Sequence, residues 1–343
     1  MSHRRFIFAL VLPLLAGTAL PTQAAPDYQN LRNTIRTEHI HPGYETLSVG
    51  AQELEHSIAR HCRSTEQAPD RVAVQSAFHL AYDAWQAVQH IRNGPVNVED
   101  RHARLQFWPD KRGITDRHLR QLMLTEPNRP LDQSISDMSV AVQGFPALER
   151  LLFGETALSQ HAQAPEKINR CSAAHAIADN IARIARTLFD ETRNATAGTD
   201  ARTETRDLFN DLVTALKFVS TIKLQDPAGS ERARPFLLEN AISQRSVRNV
   251  EINIRAMRAL YQLLYGNADT DANTHTLIVS QFDVALNEVR ALGENGVEAL
   301  GQELGPVRFR SLAATLESLR ELIAEDLTTV LGLSLGFNAL DGD

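Results

Sequence analysis

The least ordinary stretch of the sequence is GFPALE at 144–149. Proline inside a helix lacks a backbone donor and clashes with the preceding turn, whereas glycine tolerates unusual backbone angles. We therefore predict that a helix entering from about residue 132 breaks at Gly144 and restarts with Pro146 at its first helical position. Glu149 then lies in the opening turn, near the positive end of the helix dipole. Such a carboxylate could bind a ligand or a cation; the alternative is an ion pair with a nearby arginine.

The segment FWPDKRG at 107–113 is the second candidate for a site. Trp108 could form the wall of a cleft, with Asp110 and Arg112 facing a ligand. Equally, Trp108 could cap a helical bundle while Asp110 caps the helix that follows. The sequence leaves both interpretations open, and the combination of a tryptophan, charged residues and a sharp turn leans towards a site.

Two pairs of side chains spaced four residues apart are further candidates. Glu239 and Ser243 fall in a helical pattern over 235–265, and this spacing places them on one helix face, towards the other half or towards solvent. His79 and Asp83 have the same spacing and could share a metal cation. The alternative for each histidine is an ordinary surface or core position.

The N-terminus predicts export. Residues 1–24 have two arginines, a short apolar core and small residues before Ala25, which is the pattern of a cleaved signal peptide. No cysteine follows the apolar core, so we expect no lipid anchor, and no later segment is apolar enough to span a bilayer. In an oxidising compartment Cys62 and Cys171 can form a disulfide, the alternative being two buried free thiols.

The composition predicts an all-α protein. The 343 residues carry 35 Lys and Arg against 42 Asp and Glu, a net charge of −7, which argues against a nucleic-acid-binding protein. Helix-forming residues dominate, aromatic residues are few, and no segment alternates with the period of a strand. We predict two helical bundles and no sheet: 25–195, which carries FWPDKRG and GFPALE, and 201–343, with a linker at 194–200. The helical pattern over 28–63 should be interrupted at 41–43, where proline and glycine occur.

Several segments together resemble the imelysin family of helical bacterial envelope proteins, and more closely its imelysin-like periplasmic lipoproteins. They are AYDAWQAVQHIRNGPV (81–96), LQFWPDKRG (105–113), GFPALERLLFG (144–154), RPFLLENAISQRSVRNVEINIRAMRALY (234–261) and GFNALDGD (336–343). The resemblance implies two bundle-like halves with a site in the groove between them. The family signature is GxHxxE, whose His and Glu have been proposed as metal ligands. Gly144 and Glu149 match it, but Pro146 stands at the His position, and the lipobox of the lipoproteins is missing.

Some members of that family are described as metallopeptidases, and others as periplasmic components of iron-uptake systems. The resemblance therefore favours a non-catalytic periplasmic protein that serves iron or other metal acquisition. It would bind a small ligand, a metal ion (iron or another divalent cation) or an envelope protein partner in the groove. The alternative is a metal-dependent peptidase, in which a helical histidine such as His79 replaces the missing ligand beside Glu149. The residues predicted for the groove are Gly144, Pro146, Glu149, Trp108, Asp110, Arg112, Glu239 and Ser243.

Overall fold

The computed structural model describes residues 26–63, 71–123, 135–154, 164–194, 200–266 and 272–336. The predicted signal peptide and the C-terminal residues 337–343 lie outside these ranges. Every regular element within them is helical and none is a strand, so the prediction of an all-α fold is confirmed. Within these ranges no helix is both long and apolar enough to cross a membrane.

The helices divide between two halves of the molecule. In chain order the α-helices are α1 (Tyr28–Ile35), α2 (His41–Arg63), α3 (Arg71–Val88), α4 (Arg101–Leu105), α5 (Ile114–Met123), α6 (Phe145–Phe153), α7 (Ala164–Asn194), α8 (Ala201–Phe218), α9 (Asp226–Ala228), α10 (Ser246–Tyr265), α11 (Ala272–Ala291), α12 (Gly296–Gly301) and α13 (Gly305–Leu331). Two π-helical segments, Arg36–Ile40 and Val219–Gln225, continue α1 and α8. Short 3-10 segments are Gly94–Asp100, Ile135–Asp137, Val140–Val142 and Pro235–Leu237.

Each half has its own apolar core, because the helices carry apolar residues at helical spacing and bury that face. The first core joins α2, α3, α6 and α7 around side chains such as Phe78 and Trp85. The second core joins α1, α8, α10, α11 and α13 around Phe209 and Phe282. The linker predicted at 194–200 falls mostly on residues outside the described ranges, so the boundary between the halves stays a prediction.

A disulfide closes the first half. Cys62 of α2 and Cys171 of α7 are bonded, with their Cα atoms 5.6 Å apart and a sequence separation of 109. The predicted disulfide is thus confirmed, and free thiols are excluded for both cysteines. Closing so long a loop stabilises the fold mainly by restricting the unfolded chain.

The chain passes from the second core to the first within one continuous helical stretch. α1 packs against α8 and α10 of the second half, and the hydroxyl of Tyr28 donates to the carbonyl of Leu331, 2.5 Å away. The π-helical segment Arg36–Ile40 then leads directly into α2. The predicted break at 41–43 is therefore wrong: the wider π turn displaces the carbonyl that would clash with the ring of Pro42, so the helix continues.

Candidate functional site

A cleft lies where segments of the two halves meet. It has a volume of about 230 Å³ and is lined by 106–110, which follow α4, by residues of α6, and by 236–242, which precede α10. The structure thus brings several of the predicted groove residues together. Those that line the cleft are Trp108, Asp110, Pro146, Glu149 and Glu239.

The first turn of α6 sets the position of Glu149. α6 begins at Phe145, so Pro146 is its second residue and Glu149 lies one turn further along the helix. The structure thus corrects two predictions, which placed Pro146 at the first helical position and Glu149 in the opening turn. Gly144 lies just before the helix with its backbone against the end of α4. A Cβ there would lie 2.3 Å from two carbonyl oxygens of α4. Only glycine permits this close approach, and the approach fixes where α6 enters the cleft.

Glu149 is a buried carboxylate bound by neutral donors. Its side chain is 3% exposed, and Oε1 accepts hydrogen bonds from the backbone N–H of Ser243 (2.9 Å) and from the Ser243 hydroxyl (2.6 Å). Burial raises the pKa of Glu149, while the hydrogen bonds from Ser243 and Asn240 oppose that rise. Ser243, a predicted groove residue, therefore acts by holding this carboxylate.

The expected alternative, an ion pair between Glu149 and a nearby arginine, does not occur among the described residues. Arg150 is next in sequence, but its Nε donates to Asp116 Oδ1 at 2.6 Å. Its NH1 group donates to the carbonyl of Pro146 at 2.9 Å. The guanidinium of Arg150 lies at the cleft but is bound to these two acceptors, and its charge lowers the pKa of Glu149 only as a minor influence.

In the 107–113 segment each of the two interpretations left open by the sequence is met in part. Trp108 lines the cleft and meets the ring of Phe218 edge-on, with 6.1 Å between centroids. Asp110 caps α5, since its carboxylate accepts from the first N–H groups of that helix at 2.9 and 2.7 Å. Burial would raise the pKa of Asp110, but these hydrogen bonds outweigh it and hold the pKa below its ordinary value. Arg112 is exposed and is not among the residues that line the cleft.

Glu239 belongs to a buried polar network that joins the two halves. Its Oε1 accepts from the side-chain amides of Gln106 (2.9 Å) and Gln86 (3.3 Å), both in the first half. Its Oε2 accepts from the ammonium of Lys223 and from the amide of Asn249, at 2.8 and 2.9 Å. Both oxygens of Glu239 are therefore fully used within the chain.

Lys223 is the cation of this network. Its Nζ donates to Gln86 Oε1 at 2.9 Å and to Asn253 Oδ1 at 2.8 Å, besides its bond to Glu239. Burial lowers the pKa of Lys223, and the charge of Glu239 opposes that change. Because every donor of the ammonium has an acceptor and the two charges cancel, we regard the network as a structural lock between the halves.

The segment before α10 is a loop, which corrects the helical pattern predicted over 235–265. α10 begins only at Ser246, and the loop contains two residues with positive φ, Asn240 (51°) and Gln244 (59°). Because the backbone is left-handed here, Glu239 and Ser243 do not share a helix face as predicted and contact different partners. Glu239 enters the polar network, whereas Ser243 binds Glu149. Such strained positions cluster at functional sites.

His79 and Asp83 do not form the predicted cation pair. Asp83 accepts two hydrogen bonds from the guanidinium of Arg245, at 2.5 and 2.6 Å. The ring of His79 stacks on Phe153, with 5.1 Å between centroids, and burial followed by the charge of Arg245 lowers the pKa of His79. His79 is not among the residues that line the cleft.

The described residues do not fit a resident metal ion. Among them, no group of three or more His, Cys, Asp or Glu side chains is placed to hold one. Structural zinc sites use four ligands and catalytic zinc sites usually three from the protein. Glu149 offers a single carboxylate, and Pro146, one turn before it, carries no donor atom in its side chain.

Sequence reasoning missed most of the side chains that hold the two glutamates. Gln86, Gln106 and Lys223 gave no signal, because their partners lie more than 130 residues away or in an irregular loop. Asn240 offered a weak one, since asparagine is the residue other than glycine that most readily adopts a left-handed backbone. Phe236, which lines the cleft, gave no signal because it lies in a segment whose composition predicts a helix.

Comparison with known proteins identifies a family and a fold. A family model described as Imelysin matches residues 40–325. An imelysin-like protein from Psychrobacter arcticum 273-4 is similar in structure, with a TM-score of 0.75 at 16% identity, over 92% of this chain and 100% of that one. A protein assigned as an iron-regulated protein A precursor, from Parabacteroides distasonis ATCC 8503, gives 0.70 at 14%, over 89% and 97%. At such identities the likeness shows the fold alone. No curated protein sequence matches the chain.

Proposed function

The chain belongs to the imelysin family, and from that premise we propose that it is an exported, non-catalytic binding protein of the cell envelope whose ligand occupies the cleft between its halves. The observation that carries the proposal is Glu149. It is a buried carboxylate that lines a cavity, is held in place by Ser243, and has no cation bound to it within the described part of the chain. A protein gains nothing in stability from such a charge unless something binds there.

A role in iron or other metal acquisition is the second part of the proposal. It is supported by the structural neighbour assigned as an iron-regulated protein A precursor. The Cys62–Cys171 disulfide fits an oxidising compartment such as the periplasm, in agreement with the signal peptide expected at residues 1–24.

A peptidase of the metal-dependent kind remains the alternative, but no observation favours it. Such an enzyme needs a metal ion with an open position for water and a base beside it. Pro146 stands where the family signature has histidine, and His79 contacts Phe153 instead of the cleft. Neither Pro146 nor His79 therefore supplies a second ligand to a metal ion beside Glu149.

The test is complementation under iron limitation. A strain lacking this protein would be complemented with the wild-type chain or with Glu149→Gln and grown with an iron chelator. We expect the wild type, recovered in the periplasmic fraction without residues 1–24, to restore growth, and Glu149→Gln to fail although it accumulates normally.

Glu53→Gln is the matched control, because Glu53 is exposed on α2 and pairs with Arg60 at the surface. It should complement as well as the wild type. Full complementation by Glu149→Gln would contradict a ligand site at the cleft, and wild-type protein retained in the cytoplasm would contradict export.

A further inference from the structure

The charges around the cleft do not balance. Asp110 directs its carboxylate to the N-terminus of α5, and Glu239 is paired with Lys223. Arg150, the cation at the cleft, is bound to Asp116 and to a backbone carbonyl. Among the described residues this leaves Glu149 as a carboxylate that faces the cavity with neutral partners only. The imbalance favours a ligand with positive charge.

The cleft combines polar groups with apolar and aromatic side chains. Phe107, Trp108 and Pro109 line it from the segment after α4, and Phe236 and Ile242 line it from the segment before α10. Phe236 is 78% exposed, so its ring is available for contact with a ligand. A bare metal ion gains nothing from these apolar side chains. An alkyl chain that ends in a cation gains both apolar contact and attraction to the aromatic faces.

The carboxylate is held in a fixed orientation. Asn240 and Gln244 adopt left-handed backbone conformations, and between them the loop presents the N–H and the hydroxyl of Ser243 to the same oxygen of Glu149. Strained backbone of this kind persists where the surrounding structure enforces it, commonly at ligand sites. A preorganised carboxylate whose Oε1 already accepts two hydrogen bonds from Ser243 suits a ligand that donates directional hydrogen bonds, as ammonium and guanidinium groups do.

We infer that the cleft binds an organic cation, an alkylammonium or alkylguanidinium group, with its charged head on Glu149 and its stem between Trp108 and Phe236. The inference rests on the proposed binding function and specifies its ligand. A cavity of about 230 Å³ is below the roughly 300–1,000 Å³ usual for drug-sized ligands, so it suits one side chain or a small amine. The cation can come from a free polyamine or from a lysine or arginine of a peptide.

The test is calorimetric titration of the mature protein with cadaverine and with N-acetyl-lysine methylamide. The uncharged analogue 1,5-pentanediol measures the contribution of the stem alone. We expect both amines to bind and the diol to bind far more weakly. Glu149→Gln, which keeps the shape of the side chain and removes the charge, should weaken amine binding by about tenfold or more.

Trp108→Leu separates an organic cation from a metal ion. Loss of the aromatic face should weaken amine binding by about threefold to thirtyfold. Binding of Zn²⁺ or Fe²⁺, titrated in parallel, would not depend on this side chain. Glu53→Gln should leave amine affinity unchanged. Circular dichroism spectra of each variant are the check that it is folded.

The outcomes are distinct. Binding of the lysine derivative but not of cadaverine supports the inference with a peptide as the source, and the reverse result supports it with a polyamine. Equal amine affinity in wild type and Glu149→Gln overturns it. Metal binding that requires Glu149, with no amine binding, overturns the inference but leaves the proposed binding function in place. Failure of every probe, together with full complementation by Glu149→Gln, overturns both.

Discussion

Two glutamates at the junction of the halves are equally shielded from solvent but differently balanced. Glu149 and Glu239 are each 3% exposed. Glu239 accepts hydrogen bonds from four side chains, one of them the ammonium of Lys223. Glu149 receives neutral donors and lines the cleft. The charge of Glu239 is balanced within the chain, whereas the charge of Glu149 is left to be balanced by a ligand.

The difference teaches that burial alone does not identify a binding residue. A buried charge is tolerated when it is paired and hydrogen-bonded, and removing one member of the pair exposes the full cost of burial. Around Glu239 the chain supplies the opposite charge, so we assign Glu239 a role in stability. Around Glu149 it does not, so we assign Glu149 a role in ligand recognition.

The largest expected effect comes from Glu239→Gln. It removes the carboxylate that balances Lys223 and leaves the ammonium buried without an anion. We expect the free energy of unfolding to fall by about 3–5 kcal/mol. Urea denaturation followed by circular dichroism measures it.

Glu317→Gln is the matched control for that experiment. Glu317 pairs with Lys217 and Arg320 nearer the surface, and its loss should change stability by less than about 1 kcal/mol. If Glu239→Gln were no more destabilising than this control, the network would not be the lock between the halves.

Gly144→Ala should have an intermediate effect, because the new Cβ would clash with the backbone at the end of α4. We expect a loss of about 1–3 kcal/mol in the free energy of unfolding, as for other overpacking substitutions. α6 would also shift, so the cleft should bind its ligand less tightly. Gly301→Ala is the control, since nothing lies within 4 Å of a Cβ there; equal melting temperatures for the two variants would exclude the steric explanation.

Glu149→Gln should change stability least, although it is the same substitution as Glu239→Gln at equal burial. Relief from burying an unpaired charge offsets the weaker hydrogen bonds to Ser243, so we expect a change within about 1 kcal/mol. Denaturation of both variants in one buffer compares the two glutamates directly. A loss at Glu149 as large as that at Glu239 would make Glu149 a structural residue.

A pair of histidines should make the stability depend on pH on acidification. His39 and His90 lie with their Nε2 atoms 2.8 Å apart, and burial lowers the pKa of His39 to about 4. The pKa of His90 is lowered well below its ordinary value by burial and by the nearby His39 and Arg92. Unfolded histidine protonates at about 6.5, so stability should fall as the pH drops below that value towards 4.

Denaturation of the wild type and His39→Gln at about pH 7 and about pH 5 tests this, and the variant should lose less stability on acidification. Asp211 lies close to Arg92, and burial raises its pKa to about 7. Asp211 therefore favours the folded state as the pH falls, opposite to the histidines, but it is present in both proteins and cancels in the comparison. An identical pH dependence would show that the histidine pair does not contribute.

The features predicted from sequence are those that local chemistry determines. Helical periodicity gave the fold class, and the start of α6 beside Gly144 followed from proline and glycine within a few residues of each other. The helix predicted to enter from about residue 132 is wrong, because the described residues before Gly144 form two short 3-10 segments, Ile135–Asp137 and Val140–Val142. The disulfide followed from two cysteines in a chain expected to be exported. The proximity of Trp108, Asp110 and Glu149 came from the family resemblance, and the structure places them at one cleft.

The features that were missed depend on contacts across the chain. Nothing local distinguishes Gln86 or Gln106 from other glutamines, yet both bind Glu239 from more than 130 residues away. The 235–265 segment has helical composition, but its first part is a loop in which Asn240 and Gln244 adopt left-handed conformations and Ser243 contacts Glu149 of the other half. Tertiary contacts therefore override local propensity at the part of the loop that reaches the cleft.

The hydrogen bond between Tyr28 and Leu331 has a consequence for the order in which the molecule assembles. Synthesis proceeds from the N-terminus, so α1 is the first of the described helices to be made. It packs, however, in a core whose last helix is α13. The described residues of the first core lie between 44 and 188, so this core can form before the rest of the chain has been synthesised. α1 can therefore pack in its final position only after nearly the whole chain has been synthesised. The earliest described helix is thus among the last to dock.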